Sequence, residues 1–422
     1  MALTQEQINI VKSTAPVLKV HGETITTLFY KDMIDTHPEL KNVFSLRNQA
    51  SGEQPRALAN SVLAYATYID DLPKLKGAVE RIAHKHASLY IRPEQYDIVG
   101  THLMKAIGTV LGDALTPDIA EAWTAAYGQL AQVFIGREAE MYSEAGPWTD
   151  WRKFKIIRRI DESDVVTSFY LAPSDGKLPL PKYKPGQYIS VQVPVPELGG
   201  ITQPRQYSLS DAHNTGEYYR ISVKRETTVV DSNAEDVGKG LVTGLISNLL
   251  HKQYQVGDEV EVSHPQGEFF LDVSQAEKAD APLVLLSAGV GATPLMAILE
   301  TVLSPESKTP NRPIKWVHAA RNSGSLVFAK HVRDLTRKRD NVSAHIFLNE
   351  VKEGDEKGKE YDFEDRLNLT KLPAEELGLT EKRTEYFVCG PKEWMLKVRL
   401  ALENLGVERE RVKLELFATG DV

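Results

Sequence analysis

The spacing of apolar positions changes twice along the chain. Up to about residue 145 they recur every three to four residues, which predicts helices. From Trp151 they alternate, which predicts strands, and beyond about Ala281 short apolar runs alternate with helical stretches. In the first part Thr4 and Gln7 form a capping box that starts a helix. A second helix is expected from about residue 22 to 35, with Ile25, Leu28, Phe29 and Met33 inward and Pro38 ending it. A third opens at Pro55, carries Leu58, Val62, Leu63 and Tyr65 inward, and closes near Pro73. Longer helices follow over 93–111 and from 117 to about 142. Six or seven helices with short links predict a packed helical domain.

Between the third helix and the longer pair lies AVERIAHKHASLYIRPEQY, residues 78–96. Val79, Ile82, His86 and Leu89 share one helix face; His84 falls on the other with Glu80, Arg81 and Ser88. Of two neighbouring histidines, His86 therefore aims inward. A neutral imidazole facing an apolar pocket suits a haem iron, and it suits a satisfied core histidine equally. Tyr96 opens the next helix within reach of His86, and the last helix carries Arg137, Glu138 and Glu140.

GPWTDWR, residues 146–152, ends the helical part. FKIIRRI, SFYLAP, YISVQVP, YRISVKR and EVEVSHP then read as closely spaced strands of an antiparallel barrel. On it Arg205, Gln206, Tyr207 and Ser208 form one run, with Tyr188 on an earlier strand. A guanidinium fork suits phosphate, and a neighbouring aromatic suits a flat ring. Gly244 and Ser247 open a short apolar helix, either as a pyrophosphate cradle or as a plain cap. Residues 226–239 read as a polar insertion, expected to form a mobile loop. Farther on, APLVLLSAGVGATP is a buried strand, a glycine turn and a helix start, with Gly289, Val290, Gly291, Ala292, Thr293 and Pro294 in the turn. IKWVHAARN, SAHIFLN and EYFVCGP add strands, and Cys389, Gly390 and Pro391 make a second turn. Strands alternating with helices predict a parallel sheet with a nucleotide at the strand ends. After IKWVHAA stand Arg321, Asn322 and Ser323, with no carboxylate before Asp334, so a 2′-phosphate is not strongly excluded there.

Composition narrows the classes. The 422 residues are 42% hydrophobic and 26% charged, ordinary for a globular protein of two to four domains. A net charge of −8 provides no basic field for nucleic acid. The single cysteine, Cys389, excludes an intrachain disulfide, a structural cysteine zinc site and a cysteine-ligated iron–sulfur cluster. The N-terminal stretch has neither a signal core nor a transit pattern, and no apolar run spans a bilayer. A cytoplasmic monomer is expected.

The stretches LFYKDM, PELKNVF, EQPRAL, IAHKHASL, RPEQYDIVGTHL and REAEMY resemble the globin domain of flavohaemoglobins. The barrel followed by GVGATP and CGP resembles the ferredoxin reductase superfamily. The resemblance implies three domains: a globin over 1–147, a β-barrel FAD domain over 148–277 and an α/β nicotinamide-binding domain over 278–422. It implies one haem b and one FAD per chain, with NADH or NADPH as donor. His86 becomes the proximal iron ligand, and Tyr30, Gln54 and Leu58 become distal residues. Phe44 wedges the haem, and Lys85 sits near its edge. Tyr96 and Glu138 polarise His86, Glu138 being preferred to Glu140 on motif position alone. Arg205 meets the FAD pyrophosphate, and Gln206, Tyr207, Ser208 and Tyr188 line the flavin. Gly244 with Ser247, the turn from Gly289 to Pro294, and Cys389 with Gly390 and Pro391 complete the FAD and nicotinamide sites. Phe417 stacks on the flavin, and Glu415 lies near the flavin and haem edges. The tail departs from the usual pattern, with Ala418 and Thr419 where a proline more often follows Phe417. The implied activity is nitric oxide dioxygenation: NAD(P)H reduces FAD, FAD reduces haem iron, and O2 bound to the ferrous iron oxidises nitric oxide to nitrate. The alternatives are an oxygen-binding or gas-sensing haem protein with its own ferric reductase, and a general flavin reductase.

Overall fold

Thr4 accepts from the Gln7 amide and Gln7 answers with its side chain, so the capping box starts α1 (Gln5–Thr36) as expected. The break expected before residue 22 is absent. α1 is one helix of 32 residues with Pro16 inside it. A proline normally costs an internal helix its hydrogen bond and crowds the preceding turn. Here Val11 before Pro16, and Leu18, Ile25, Phe29 and Met33 beyond it, are buried in one core cluster, and that shared packing carries the helix through. The computed structural model describes residues 2–213, 216–226 and 244–415. Phe417 and most of the 226–239 insertion lie outside the described residues.

After a short α2 (Leu46–Ala50) come α3 (Glu53–Thr67), α4 (Lys76–Ala87), α5 (Pro93–Leu111) and α6 (Pro117–Glu144). α3 begins two residues before Pro55, behind a left-handed Gly52, and ends well short of Pro73. Pro93 and Pro117 each stand at the start of a helix, where the missing N–H has no intrahelical partner to lose.

The barrel contains β1 (Arg152–Asp161), β2 (Val166–Pro173), β3 (Tyr188–Val195), β4 (Ile201–Ser208), β5 (Tyr219–Lys224), α7 (Leu245–Lys252) and β6 (Glu259–Val262). Its strand order is β4-β3-β6-β1-β2-β5, and every pair is antiparallel. A bridge between Leu209 and Ile221 brings the end of β4 to β5 and closes the sheet. Trp148 packs in this core, stacked 5.6 Å from Phe154, and so does Tyr90 from the helical part.

The last third is a parallel sheet: β7 (Leu283–Ala288), β8 (Ile314–Ala320), β9 (Val342–Leu348), β10 (Phe363–Glu364), β11 (Glu385–Cys389) and β12 (Val412–Glu415), in the order β10-β9-β8-β7-β11-β12. α8 (Ala292–Leu303) and α9 (Ala329–Lys338) are crossovers, and α10 (Lys392–Asn404) precedes β12. Separate apolar clusters cover the two faces, which explains why these strands read as continuous apolar runs. The order in which strands are added reverses between β7 and β11, and a crevice for a ligand opens at such a switch point. Val166, Phe269 and Leu271 reach into the same cluster and join barrel to sheet.

Candidate active site

Three sets of residues meet around α4. On its inward face His86 Nδ1 lies 2.8 Å from Glu138 Oε1 and 2.9 Å from the Tyr96 hydroxyl oxygen. Tyr96 donates to the same carboxylate oxygen at 2.6 Å. Glu138 is 3% exposed. Glu140 is 68% exposed and pairs with Arg137 at 2.9 Å. So the carboxylate beside the histidine is Glu138. Burial, and then the neighbouring Glu138 charge, hold the Tyr96 hydroxyl far above the ordinary phenol range, so it stays a donor.

With Nδ1 committed in this way, His86 presents Nε2 as its remaining ring nitrogen. Its ring keeps about a third of its surface open, although Ala83 and Ala87 of the same helix are fully buried. Tyr30 is buried on α1 and accepts from the Gln54 amide at 3.2 Å. Among the described residues its O–H is committed to no acceptor. Burial raises its pKa to about 12, and the Gln54 bond opposes that rise. Phe44 meets the Tyr30 ring edge-on at 5.4 Å, and Leu58 packs on the same cluster. A histidine with one open nitrogen, an unspent phenol proton and apolar walls fit an iron porphyrin.

The opposite face of α4 does not meet water, as its polar character would suggest. It meets the barrel. Arg81 pairs with Glu268 at 3.0 Å, and His84 Nδ1 lies 2.5 Å from Gln266 Oε1. Ser88 at the helix end contacts Ser190 of β3 and Gln206 of β4. Tyr188 pairs in register with Ser208, and Ser190 with Gln206, so these four project from one side of the ladder. Tyr207 pairs with Ile189 on the other side and packs against the barrel core. Lys85 is drawn below the ordinary lysine range by burial and by the nearby positive charge of Arg205. Burial pushes the Glu415 carboxyl and the Tyr188 phenol up, and the Glu268 charge adds to both. Glu415 at the end of β12 thus shares one neighbourhood with Tyr188, Glu268 and Arg81. Phe417 lies outside the described residues.

Gly244 caps α7 with a φ of 76°, and Ser247 donates to its carbonyl at 3.1 Å while accepting from the Glu226 amide. At the switch point the Gly289–Pro294 turn passes directly over Cys389. A Cβ on Gly291 would overlap the Cys389 carbonyl oxygen, so only glycine allows the two turns this approach. Thr293 donates to the Val290 carbonyl at 3.0 Å and tightens the start of α8. Burial pushes the Cys389 thiol well up, which makes it a packing residue rather than a nucleophile. Gly390 fits beneath Trp394, ahead of Pro391 and α10.

A family model described as Globin matches residues 27–134, and one described as Oxidoreductase NAD-binding domain matches residues 285–399. A Flavohemoprotein of Bordetella pertussis is 45% identical over 424 residues, covering all of both chains. This chain belongs to the flavohaemoprotein family. A Flavohemoprotein of Chromobacterium violaceum is 44% identical, over 99% of this chain and 98% of its own. Among solved structures, a flavohaemoglobin of Malassezia yamatoensis determined with bound FAD and haem superposes with a TM-score of 0.80 at 28% identity. It covers 99% of this chain and all of that one. The FAD/NAD-binding domain of a nitric oxide dioxygenase from Vibrio cholerae matches with a TM-score of 0.51 at 32% identity, over 63% of this chain and 98% of that one.

Within this flavohaemoprotein fold, most of the residues that tie the helical part to the barrel are ones the sequence pattern passes over. Ser190, Gln266, Glu268 and Gln203 carry no motif. Gln203 is 1% exposed; its amide donates to the Lys41 carbonyl at 2.6 Å and its oxygen accepts from the Leu46 amide, holding the turn that bears Phe44. The one available signal is a polar residue interrupting a strand of otherwise buried residues, and Gln203 and Ser190 share that signal with many ordinary strand residues.

Proposed function

We propose that this protein is an NAD(P)H-dependent nitric oxide dioxygenase that carries one haem b and one FAD. The observation that carries the reading is the His86–Glu138–Tyr96 cluster on one face of α4, with the barrel strands bearing Tyr188 and Gln206 against the other. When bound, haem and FAD supply an O2-binding iron and a carrier that accepts hydride and releases single electrons. His86 holds the iron through Nε2, and the Glu138 carboxylate, accepting from Nδ1, makes the imidazole a stronger donor. Tyr30 would donate its O–H, which no acceptor among the described residues takes, toward a ligand of the iron, and Gln54 donates to that phenol. Leu58 and Phe44 would pack against the haem and exclude water, and Lys85 would lie beside it. Arg205 forks the FAD pyrophosphate with help from the Gly244–Ser247 helix start. Tyr188, Gln206, Ser208 and Glu415 would bound the flavin, with Tyr207 behind them on the barrel-core side. The Gly289–Pro294 and Cys389–Pro391 turns hold the nicotinamide half.

The same reading keeps three modules, 1–147, 148–277 and 278–422, and a cytoplasmic monomer. One chain contains the residues for every stage of the electron path, and no helix among the described residues is long and apolar enough to cross a membrane. Two measurements test the function. Nitric oxide supplied to the aerobic holoprotein should yield nitrate in proportion to the NAD(P)H consumed. His86→Ala should lose haem while still reducing an artificial acceptor with NADH. Nitrate formation absent under turnover would leave an oxygen-binding protein with its own reductase, and activity surviving haem loss would leave a flavin reductase.

A further inference from the structure

Ser88 lies two residues beyond His86, at the C-cap of α4, and is completely buried. Its hydroxyl makes three hydrogen bonds. It donates to the Lys85 carbonyl at 2.8 Å, accepts from Ser190 Oγ at 3.0 Å and accepts from Gln206 Nε2 at 3.2 Å. The first bond ties the oxygen to the last turn of the His86 helix. The other two come from neighbouring strands of the barrel, and their donors are register partners. Gln206 sits inside the Arg205–Ser208 run, and Tyr188 precedes Ser190 by two residues on the same side of β3. The Tyr188 phenol also faces Ser88. A single oxygen atom thus connects the histidine helix to both strands that carry the flavin-side residues. No charge is involved at this point. The salt bridge Arg81–Glu268 lies at the outer edge of the same contact, where water screens it.

We propose that Ser88 is the positioning residue that sets the register of the His86 helix on the flavin-side strands, and so governs electron passage between the two redox centres. This rests on the electron path proposed above. Ser88→Ala leaves the buried Ser190 hydroxyl without its acceptor and takes one acceptor from the part-buried Gln206 amide. The docked arrangement becomes less favourable than a separated one in which water reaches both donors. Among the described residues no hydrogen bond of the Ser88 side chain reaches Tyr30, Gln54 or the Gly289–Pro294 turn, so the loss falls on the contact between helix and barrel.

Rapid mixing of the holoprotein with NADH resolves flavin reduction from haem reduction by their separate absorption bands. In Ser88→Ala, flavin reduction should proceed at the wild-type rate, and the flavin-to-haem step should slow about tenfold. Ser88→Thr, which keeps the hydroxyl, should restore most of that step. Ser190→Ala should slow the same step less, and the double variant should be no slower than Ser88→Ala alone, because both remove one contact. Amide exchange at the end of α4 and in β3 should quicken in Ser88→Ala, with the ferrous carbon monoxide spectrum unchanged. The inference is overturned if flavin and haem reduction slow together, if the haem step is unaffected, or if Ser88→Thr behaves like Ser88→Ala. A wild-type protein whose haem is not reduced by NADH would instead overturn the function reading, and the exchange result would still decide the docking role.

Discussion

Glu138 Oε1 and His86 Nδ1, 52 residues apart in the chain, lie 2.8 Å apart, and Tyr96 donates to the same oxygen. A buried carboxylate in that place draws the Nδ1 proton and leaves Nε2 more basic. Glu138→Gln should lower the iron–histidine stretching frequency in resonance Raman spectra of the ferrous protein and reduce turnover by about 10- to 100-fold. Glu140→Gln, at an exposed partner of Arg137, should change neither. Equal effects at the two positions would remove Glu138 from this role.

Tyr30 holds an O–H that no acceptor among the described residues takes. Its bond to a partly charged oxygen ligand is worth about 1.5–3 kcal/mol. Tyr30→Phe should speed O2 dissociation about tenfold or more, measured by displacement with carbon monoxide. Gln54→Leu, which releases the phenol without removing it, should have a smaller effect in the same direction.

Gly291 sits where any side chain would strike the Cys389 carbonyl. Gly291→Ala should push the two nucleotide turns apart. The expected outcome is a raised KM for NAD(P)H and a destabilisation of about 1–3 kcal/mol, seen as a lower midpoint for unfolding of this module. The haem spectrum should be unaffected.

Arg321 is exposed directly after β8, and its carbonyl accepts from the Glu350 amide following β9. An acidic residue in this position favours a free ribose 2′-hydroxyl, and an arginine accepts a 2′-phosphate. Arg321→Glu should lower kcat/KM for NADPH about tenfold or more relative to NADH. An equal loss with both donors would show that Arg321 does not meet the phosphate.

His264 is buried against Tyr90, Tyr142 and Trp148 where barrel and helices join, and burial lowers its pKa from 6.5 to about 4. The unfolded chain therefore binds more protons between these values. Stability from keeping His264 neutral is complete above about pH 6.5 and is lost as the pH falls towards 4, by roughly 3 kcal/mol at most. Buried His318 in the parallel sheet is lowered to the same extent and adds to this acid slope. His264→Phe should flatten the stability profile in that window by about half, measured by denaturant unfolding at successive pH values.

The local pattern of apolar residues determined the order of helical domain, barrel and parallel sheet, and which of His84 and His86 faces inward. Both follow from periodicity, which records what each segment buries. It placed the start of α5 at Pro93 and that of α6 at Pro117, because a missing N–H is a local fact. It could not show that α1 runs past Pro16, since the compensation comes from a core built by other helices. It could not separate Glu138 from Glu140 by geometry. Two residues apart on a helix of about 3.6 residues per turn, they point to nearly opposite sides, and only the packing of α6 on α4 decides which side is inside. Nor could it show that the polar face of α4 is an interface. Arg81, His84 and Ser88 read as a solvated stripe, and their partners Glu268, Gln266, Ser190 and Gln206 lie more than a hundred residues away. Whether a polar face meets water or another polar surface depends on what the rest of the chain brings against it, and that is settled only when the modules pack.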